Sequence, residues 1–511
     1  MQIGRPNLHA RGTTDHEATA PAVGLGSSRQ GIFSRRWFGL GSFSVALLIP
    51  CFWQSRIQAA DLSSHIYNAW LAALIQRGEA PGLWISFQSN NVLFDFLLEW
   101  LLLRVGPDWA QRLAVAVTVL LFGLGALLFI FRLAGGRTGT SVARKNWWVA
   151  APCVAMLSYG FIFHMGFFNF YLSMGLCLWC IAIFLDAGHA WYIRVLAAPI
   201  LIVAWTAHPF PVVWTVGALI YIIVASRIAP RERAYLIGFG LALLIAARYI
   251  LTHRYSYSWS ARQVFFITGA NQVELFGLKY AVPFAGLLSM WWMLLRRLVH
   301  RTGFADLFSA IPFQLWLLNA AAVMLIPDML RLPGFDRPFG YITDRLSFGA
   351  ALMMCAVIAA APTTRLIRVA LTLVAMLFFG LLYLDNRELN QMEDRLDAVV
   401  AGFPPGRRVV SSLPSQSLGS LCFQHDLDRA CIGHCFSYAN YEPSSRQFRI
   451  HARPGNGIVL DNYSDVDAVA DASYVVQPRD LPVSLVYLCG SRPTHVCSRP
   501  LRAGDAIGKP N

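Results

Sequence analysis

Apolar stretches of about 18 residues or more recur along this chain, and the short polar segments between them carry arginine rather than acid. A stretch of that length is what a helix needs to cross the hydrocarbon core of a bilayer. Inside lipid the backbone must satisfy its own hydrogen bonds, so repeated stretches of this kind point to a bundle of spanning helices. The charge content agrees. Asp, Glu, Lys and Arg make up 14% of the 511 residues, against about a quarter in soluble domains.

The basic residues give the bundle a direction. Arg29, Arg35 and Arg36 precede the first span, 37–53, which places the N-terminus inside. Arg132, Arg137, Arg144 and Lys145, then Arg194, then Arg227, Arg231 and Arg233, then Arg296, Arg297 and Arg301, then Arg365 and Arg368 fall between later spans. About eleven spans keep all of these loops on one side, with the N-terminus in and the C-terminus out. The net charge of +14 therefore reads as a positive-inside signal. Nucleic-acid binding is set aside, because no basic face with interleaved aromatics lies outside these loops.

Three regions follow. Residues 1–36 read as a disordered cytoplasmic tail, lacking the short basic head and cleavage site of a signal peptide. Residues 37–385 form the transmembrane domain, with a long first outer loop at 56–106. That loop holds an amphipathic helix near 62–77 and a short apolar stretch, 92–103, too short to span and read as re-entrant or interfacial. Residues 386–511 form a small extracytoplasmic domain. Its runs VVSSL, GIVLDNY, YVVQ and SLVYLC alternate with Gly, Pro and Asp, as strands of a mixed α/β module do. Cys422, Cys431, Cys435, Cys489 and Cys497 lie there. An oxidising compartment would pair four of them and leave one over. The spacing of Cys431 and Cys435, with His425 and His434, also admits a loose zinc site.

Asp61 is the residue that a plain anchor has no use for. It stands just past the first span, and His65 follows four residues later on the same helical face. An acid there can cap the helix and complement its dipole, or it can serve as a base. Asp95 and Glu99 share another face; with Asp61 they could bind a divalent metal, or they could simply solvate the helix. Arg248, Arg254, Arg262, Arg331, Arg337 and Arg345 fall on the outer side, against the topology bias. A phosphate partner would account for them, since the guanidinium fork matches its oxygens; pairing with Asp328, Asp336 and Asp344 is the structural alternative. His164 and His208 end the outer halves of spans, where a histidine is more often packed than liganding.

The run Asp61-Leu62-Ser63-Ser64-His65, followed by Ile66-Tyr67-Asn68-Ala69-Trp70 directly after span one, resembles the first outer loop of the C-type (GT-C) membrane glycosyltransferase superfamily. Its members include polyprenyl-phosphate mannosyl- and aminoarabinosyl-transferases and the oligosaccharyltransferases. Many carry two acidic residues at that place, where this chain carries Asp61 with His65. The runs from His164 to Phe170 and at His208-Pro209 resemble bacterial relatives of the superfamily. The resemblance implies a polyprenyl-phosphate-linked sugar donor drawn from the membrane lipid and transfer on the outer face. It implies Asp61 as general base, with His65 beside it, and Arg345 at the lipid phosphate. His208, His164 and Arg262 complete the candidate substrate contacts. Together with the charge bias it implies a bacterial inner membrane, with the active face and the C-terminal domain in the periplasm. Two other functions compete. An inactive relative could serve in envelope assembly. A transporter or flippase would want ionisable residues in mid-span, where this chain is almost purely apolar.

Overall fold

The structure, a computed structural model, describes residues 27–135, 147–186, 191–413, 418–489 and 495–507. It divides into two units, residues 1–45 and residues 46–511. The expected tail, 1–36, lies outside the described residues as far as 26; helix α1 (Ser27–Phe52) begins at Ser27. Within the first unit, Ser44 Oγ donates to the Leu40 carbonyl at 2.9 Å.

In the second unit, α2 (Ala60–Arg77) and the short strand β1 (Leu83–Ile85) lead into α3 (Leu93–Gly135). Helix α3 is two helices joined at Gly106, whose φ of 76° and ψ of 170° are not helical. Glycine tolerates that backbone and Pro107 then restarts the helix. A short apolar helix and a spanning one are thus set at an angle. The bundle continues as α4 (Ala151–Ser158), α5 (Phe161–His164), α6 (Phe168–Asp186), α7 (Trp191–Ala207), α8 (Pro209–Ala225) and α9 (Arg233–Arg254). Strand β2 (Ser256–Ser258), α10 (Ala281–Thr302), α11 (Phe304–Ser309), α12 (Ile311–Leu325), strand β3 (Met329–Arg331), α13 (Ile342–Ile358) and α14 (Arg365–Val400) complete it.

This is a polytopic α-helical membrane protein. Among the described residues, six helical segments are long and apolar enough to cross a membrane: 93–135, 147–164, 168–186, 233–254, 278–302 and 365–400. Four shorter apolar helices, 37–52, 191–207, 209–225 and 311–325, accompany them. The sequence reading of about eleven counts these short helices as spans. Proline punctuation accounts for their length. Pro209 opens α8 immediately after α7, with His208 before it extended, and Pro312 stands in the first turn of α12 after a break at Ala310.

Helix α14 does not stop where its apolar part ends. Asp385, Leu389, Glu393, Leu396 and Val400 recur on one buried face, the period of an amphipathic helix, and carry it into the C-terminal domain. There follow β4 (Arg408–Ser412), α15 (Leu418–Ala430), β5 (Phe436–Ser437), α16 (Tyr441–Ser445), β6 (Ile450–Ala452), α17 (Tyr463–Ala470), β7 (Val483–Cys489) and β8 (His495–Pro500). Four strands form one mixed sheet in the order β5-β4-β7-β8, with β4 parallel to β5 and β7, and β7 antiparallel to β8. Alternation along β7 sends Val483 and Leu485 into a core with Tyr438 and Leu460, and Val486 into another with Tyr67, Leu71 and Leu396. Two of the four expected strands, VVSSL and SLVYLC, form. Residues 457–463 instead follow local side-chain bonds: Asn456 Oδ1 accepts from the Ile458 and Val459 amides, and Asn462 caps α17. YVVQ keeps only an isolated bridge from Val475 to Ala506.

Disulfides join Cys431 to Cys435 and Cys489 to Cys497, leaving Cys422 buried and free. The first of these ties up both thiols that a zinc site would need.

The apolar stripe of α2 suggests a helix lying on the membrane or on other spans. The structure packs α2 on α3 and covers its other side with α15, burying residues on every side of it. Its small polar residues meet polar partners there. Ser63 Oγ donates to Asp426 at 3.0 Å, and Asn68 Oδ1 accepts from Asn440 at 2.8 Å. Strand β1 pairs antiparallel with β6, so the first loop and the C-terminal domain share a sheet as well as a core. Arg429 fills the centre of the joint, with Nε 2.6 Å from Glu393 and Nη2 3.2 Å from Asp426.

Candidate active site at the head of helix α2

Asp61 lies in the first turn of α2, but it is not a cap. The N-cap is Ala59, with no side-chain cap bond, and among the described residues no hydrogen bond reaches the Asp61 carboxylate. Its side chain is 26% exposed. A turn at 164–166 seats it. Asp61 N donates to the Met165 carbonyl at 3.3 Å, and His164 Nδ1 donates to the Gln58 carbonyl at 2.9 Å. Gly166 makes this approach feasible. Its φ is +78°, and a Cβ there would lie 2.5 Å from Asp61 N, so only glycine fits.

Basic and aromatic side chains from distant segments surround the carboxylate. His425 Nε2, on α15, is 3.8 Å from Asp61 Oδ1. Arg337, Tyr341 and Tyr441 all lie within electrostatic reach of Asp61. Arg337 stacks over the Tyr441 ring at 4.2 Å; burial acts against its charge, but Tyr441, Tyr463 and Asp61 together hold its pKa above the ordinary value. Tyr341 has a φ of 57°, a left-handed backbone that a bulky residue adopts only under constraint.

Arg345, in the first turn of α13, also lies within reach of Asp61. Its guanidinium stacks over Phe167 at 4.3 Å and Phe339 at 5.3 Å, and it donates through Nη1 to the Gly340 carbonyl. Its Nε is buried without a partner among the described residues. A desolvated cation with a spare donor suits an anionic oxygen.

His65 takes a different partner from the one its spacing suggests. Its Nδ1 is 2.6 Å from Asp95 on α3, and Asn169 Nδ2 donates to the other Asp95 oxygen at 2.9 Å. Burial alone would lower the His65 pKa, but Asp95, with help from Glu442 and Asp61, raises it to about 9. Glu442, on α16, is buried beside it and pushed up to about 8 by that burial and by its acidic neighbours. His65, Asp95 and Glu442 line a cavity of about 20 Å³, room for one water. Glu99 pairs with Arg449 and Gln76. The two acids weighed as metal ligands are thus both engaged by the protein.

Of the sequence candidates, Asp61, His65 and Arg345 come together. His208 caps α8, accepting from Phe210 N at 3.1 Å, and lies within reach of Arg345 rather than Asp61. His164 is packed beneath the site as part of its seat, against Phe163 and Phe276. Arg262 is exposed and close to Asp344. Residues that the sequence did not single out for the site are His425, Tyr341 and Tyr441, with Arg337 noticed only as one outer arginine among several. Their signal in the sequence is faint. His425 opens a short charged run, His425-Asp426-Leu427-Asp428-Arg429, in an otherwise ordinary helix.

No family model matches this chain, and no curated protein matches it. Among solved structures it is similar to the crystal structure of ArnT from Cupriavidus metallidurans in the apo state. The identity is 12% and the TM-score 0.47, over 89% of this chain and 93% of that one. A likeness of that size leaves the chemistry of this chain to be read from its own residues.

Proposed function

We propose that this chain is a membrane glycosyltransferase that moves a sugar from a polyprenyl-phosphate donor to an acceptor hydroxyl, with Asp61 as general base. The observation that carries the reading is the Asp61 carboxylate. It is half-buried, free of hydrogen bonds among the described residues, and set among cations and aromatics at the head of α2. A carboxylate so placed can accept the acceptor's hydroxyl proton as the new glycosidic bond forms. The bond from the anomeric carbon to the phosphate breaks in the same step, and its electron pair leaves with the phosphate. Arg345 stands where it would stabilise that charge, and Arg337 where it would hold the donor's phosphate. His65, held by Asp95, fixes α2 against α3.

In this reading about eleven spans place the N-terminus inside, and residues 386–511 lie in the periplasm of a bacterial inner membrane. The two disulfides support that side for the C-terminal domain, since such bonds persist in oxidising compartments.

The test uses the full chain in lipid nanodiscs with radiolabelled hexosyl and pentosyl polyprenyl phosphates. Release of free polyprenyl phosphate, dependent on the protein and on an added envelope acceptor fraction, is the expected result. No release from any donor, with the protein folded and both disulfides intact, would turn the reading toward the assembly role.

A further inference from the structure

The C-terminal domain does more than cover α2. His425 lies between two carboxylates, with Nε2 3.8 Å from Asp61 and Nδ1 3.6 Å from Asp428. Asp428 is itself held, accepting from Ser437 Oγ at 2.5 Å. The imidazole is largely buried, its side chain 15% exposed, and the Tyr441 ring meets it edge-on at 5.7 Å. This is a carboxylate–imidazole–carboxylate array. One end is Asp61, on the helix that follows the first span; the other end is anchored in the C-terminal domain.

We propose that His425 is a positioning residue for Asp61, supplied by the C-terminal domain, and that Asp428 orients it for that task. The Nε2 edge of the imidazole faces Asp61, restrains its rotamer and favours its ionised form; the Nδ1 edge faces Asp428. An opposite charge within about 4 Å acts on a carboxylate in this sense, and a third group that orients the imidazole is the usual partner of such a pair. The catalytic consequence rests on the transferase reading given above. In that reaction His425 makes and breaks no bond; Asp61 takes the proton, and His425 stabilises the carboxylate before that transfer. The C-terminal domain is then a working half of the site.

Other charged or titratable groups face Asp61 from each element packed near it. They are His65 on its own helix, Arg337 and Tyr341 ahead of α13, Arg345 on α13, Cys422 on α15, and Tyr441 and Glu442 on α16. Of these, Tyr441 packs on the His425 ring, and His425→Gln, which keeps more of that packing than His425→Ala, separates its contribution from that of the imidazole.

The protonation of Asp61 is measurable without knowing the substrate. A water-soluble carbodiimide with an amine labels protonated carboxyls, and tryptic cleavage after Arg56 and Arg77 yields residues 57–77, in which Asp61 is the sole carboxylate. The full chain in nanodiscs is labelled across a pH series and the modified peptide counted by mass spectrometry. His425→Ala is expected to move the labelling midpoint upward by about one pH unit. Asp428→Asn, which keeps the imidazole but removes its anchor, moves it upward by less, and His425→Gln falls between wild type and His425→Ala. Unchanged midpoints in the folded variants overturn the proposal. If His425→Ala fails to fold, Asp428→Asn and His425→Gln decide the matter alone. A shifted midpoint in a chain that transfers no sugar upholds the array and sinks the transferase. Transfer by a chain whose midpoint does not move does the reverse.

Discussion

Helix α2 carries two carboxylate–histidine contacts, and they differ in kind. His65 and Asp95 are 2.6 Å apart, and Asn169 holds the second carboxylate oxygen. Asp61 and His425 are 3.8 Å apart, and no hydrogen bond reaches the Asp61 carboxylate among the described residues. The first pair is satisfied and ties α2 to α3. The second is open, with capacity left on the acid and an arginine cage beside it. A satisfied ion pair has little left to offer a substrate. An under-satisfied carboxylate among preorganised cations is how reactive sites differ from structural ones.

The contrast can be broken in several ways. Arg345→Met should cut transfer roughly a hundredfold by removing charge that meets the departing phosphate. Stability should hold or rise, because an apolar replacement relieves a buried cation; a stability loss matching the activity loss would make Arg345 structural. Arg337→Gln, at a less buried position, should raise KM for the lipid donor about tenfold with kcat little changed, read from initial rates over a donor series. Asp95→Asn should behave in the opposite manner. Chemical denaturation should show it about 2 kcal/mol less stable, since the His65 cation loses its partner, and the folded fraction should keep its turnover.

The smallest effect sharpens the same difference through pH. The His65 pKa is raised in the folded state to about 9 from the ordinary 6.5, its burial outweighed by Asp95, Glu442 and Asp61. The pair's contribution is therefore full below pH 6.5 and lost as pH rises through about 9. Glu442, raised to about 8, acts in the same direction. The thermal midpoint should fall between those limits, and the slope should flatten in Asp95→Asn. An equal slope in both would remove the structural role of the His65 pair.

Periodicity and local chemistry made much of this legible. The apolar runs point to the bundle, Asp61 stands out by its place after the first span, and the run from His164 to Phe170 is noticed through a resemblance alone. That run proves to seat Asp61 through Gly166 and to hold Asp95 through Asn169. Partner choice was not legible. Helical spacing puts His65 on the face of Asp61, yet the side chain turns to an acid on the next helix. His425 meets Asp61 only because a C-terminal helix packs along α2, and no local pattern encodes a contact across more than 360 residues. The division of 191–225 into two short helices was legible at His208-Pro209.

The most direct measurement compares Asp61→Asn with Asp95→Asn in nanodiscs, recording donor turnover and thermal midpoint for each. The predicted result is a crossing: Asp61→Asn loses at least about a hundredfold in turnover at an unchanged midpoint, while Asp95→Asn loses midpoint and keeps turnover per folded molecule. Turnover retained in Asp61→Asn would contradict the assignment of that carboxylate as the base.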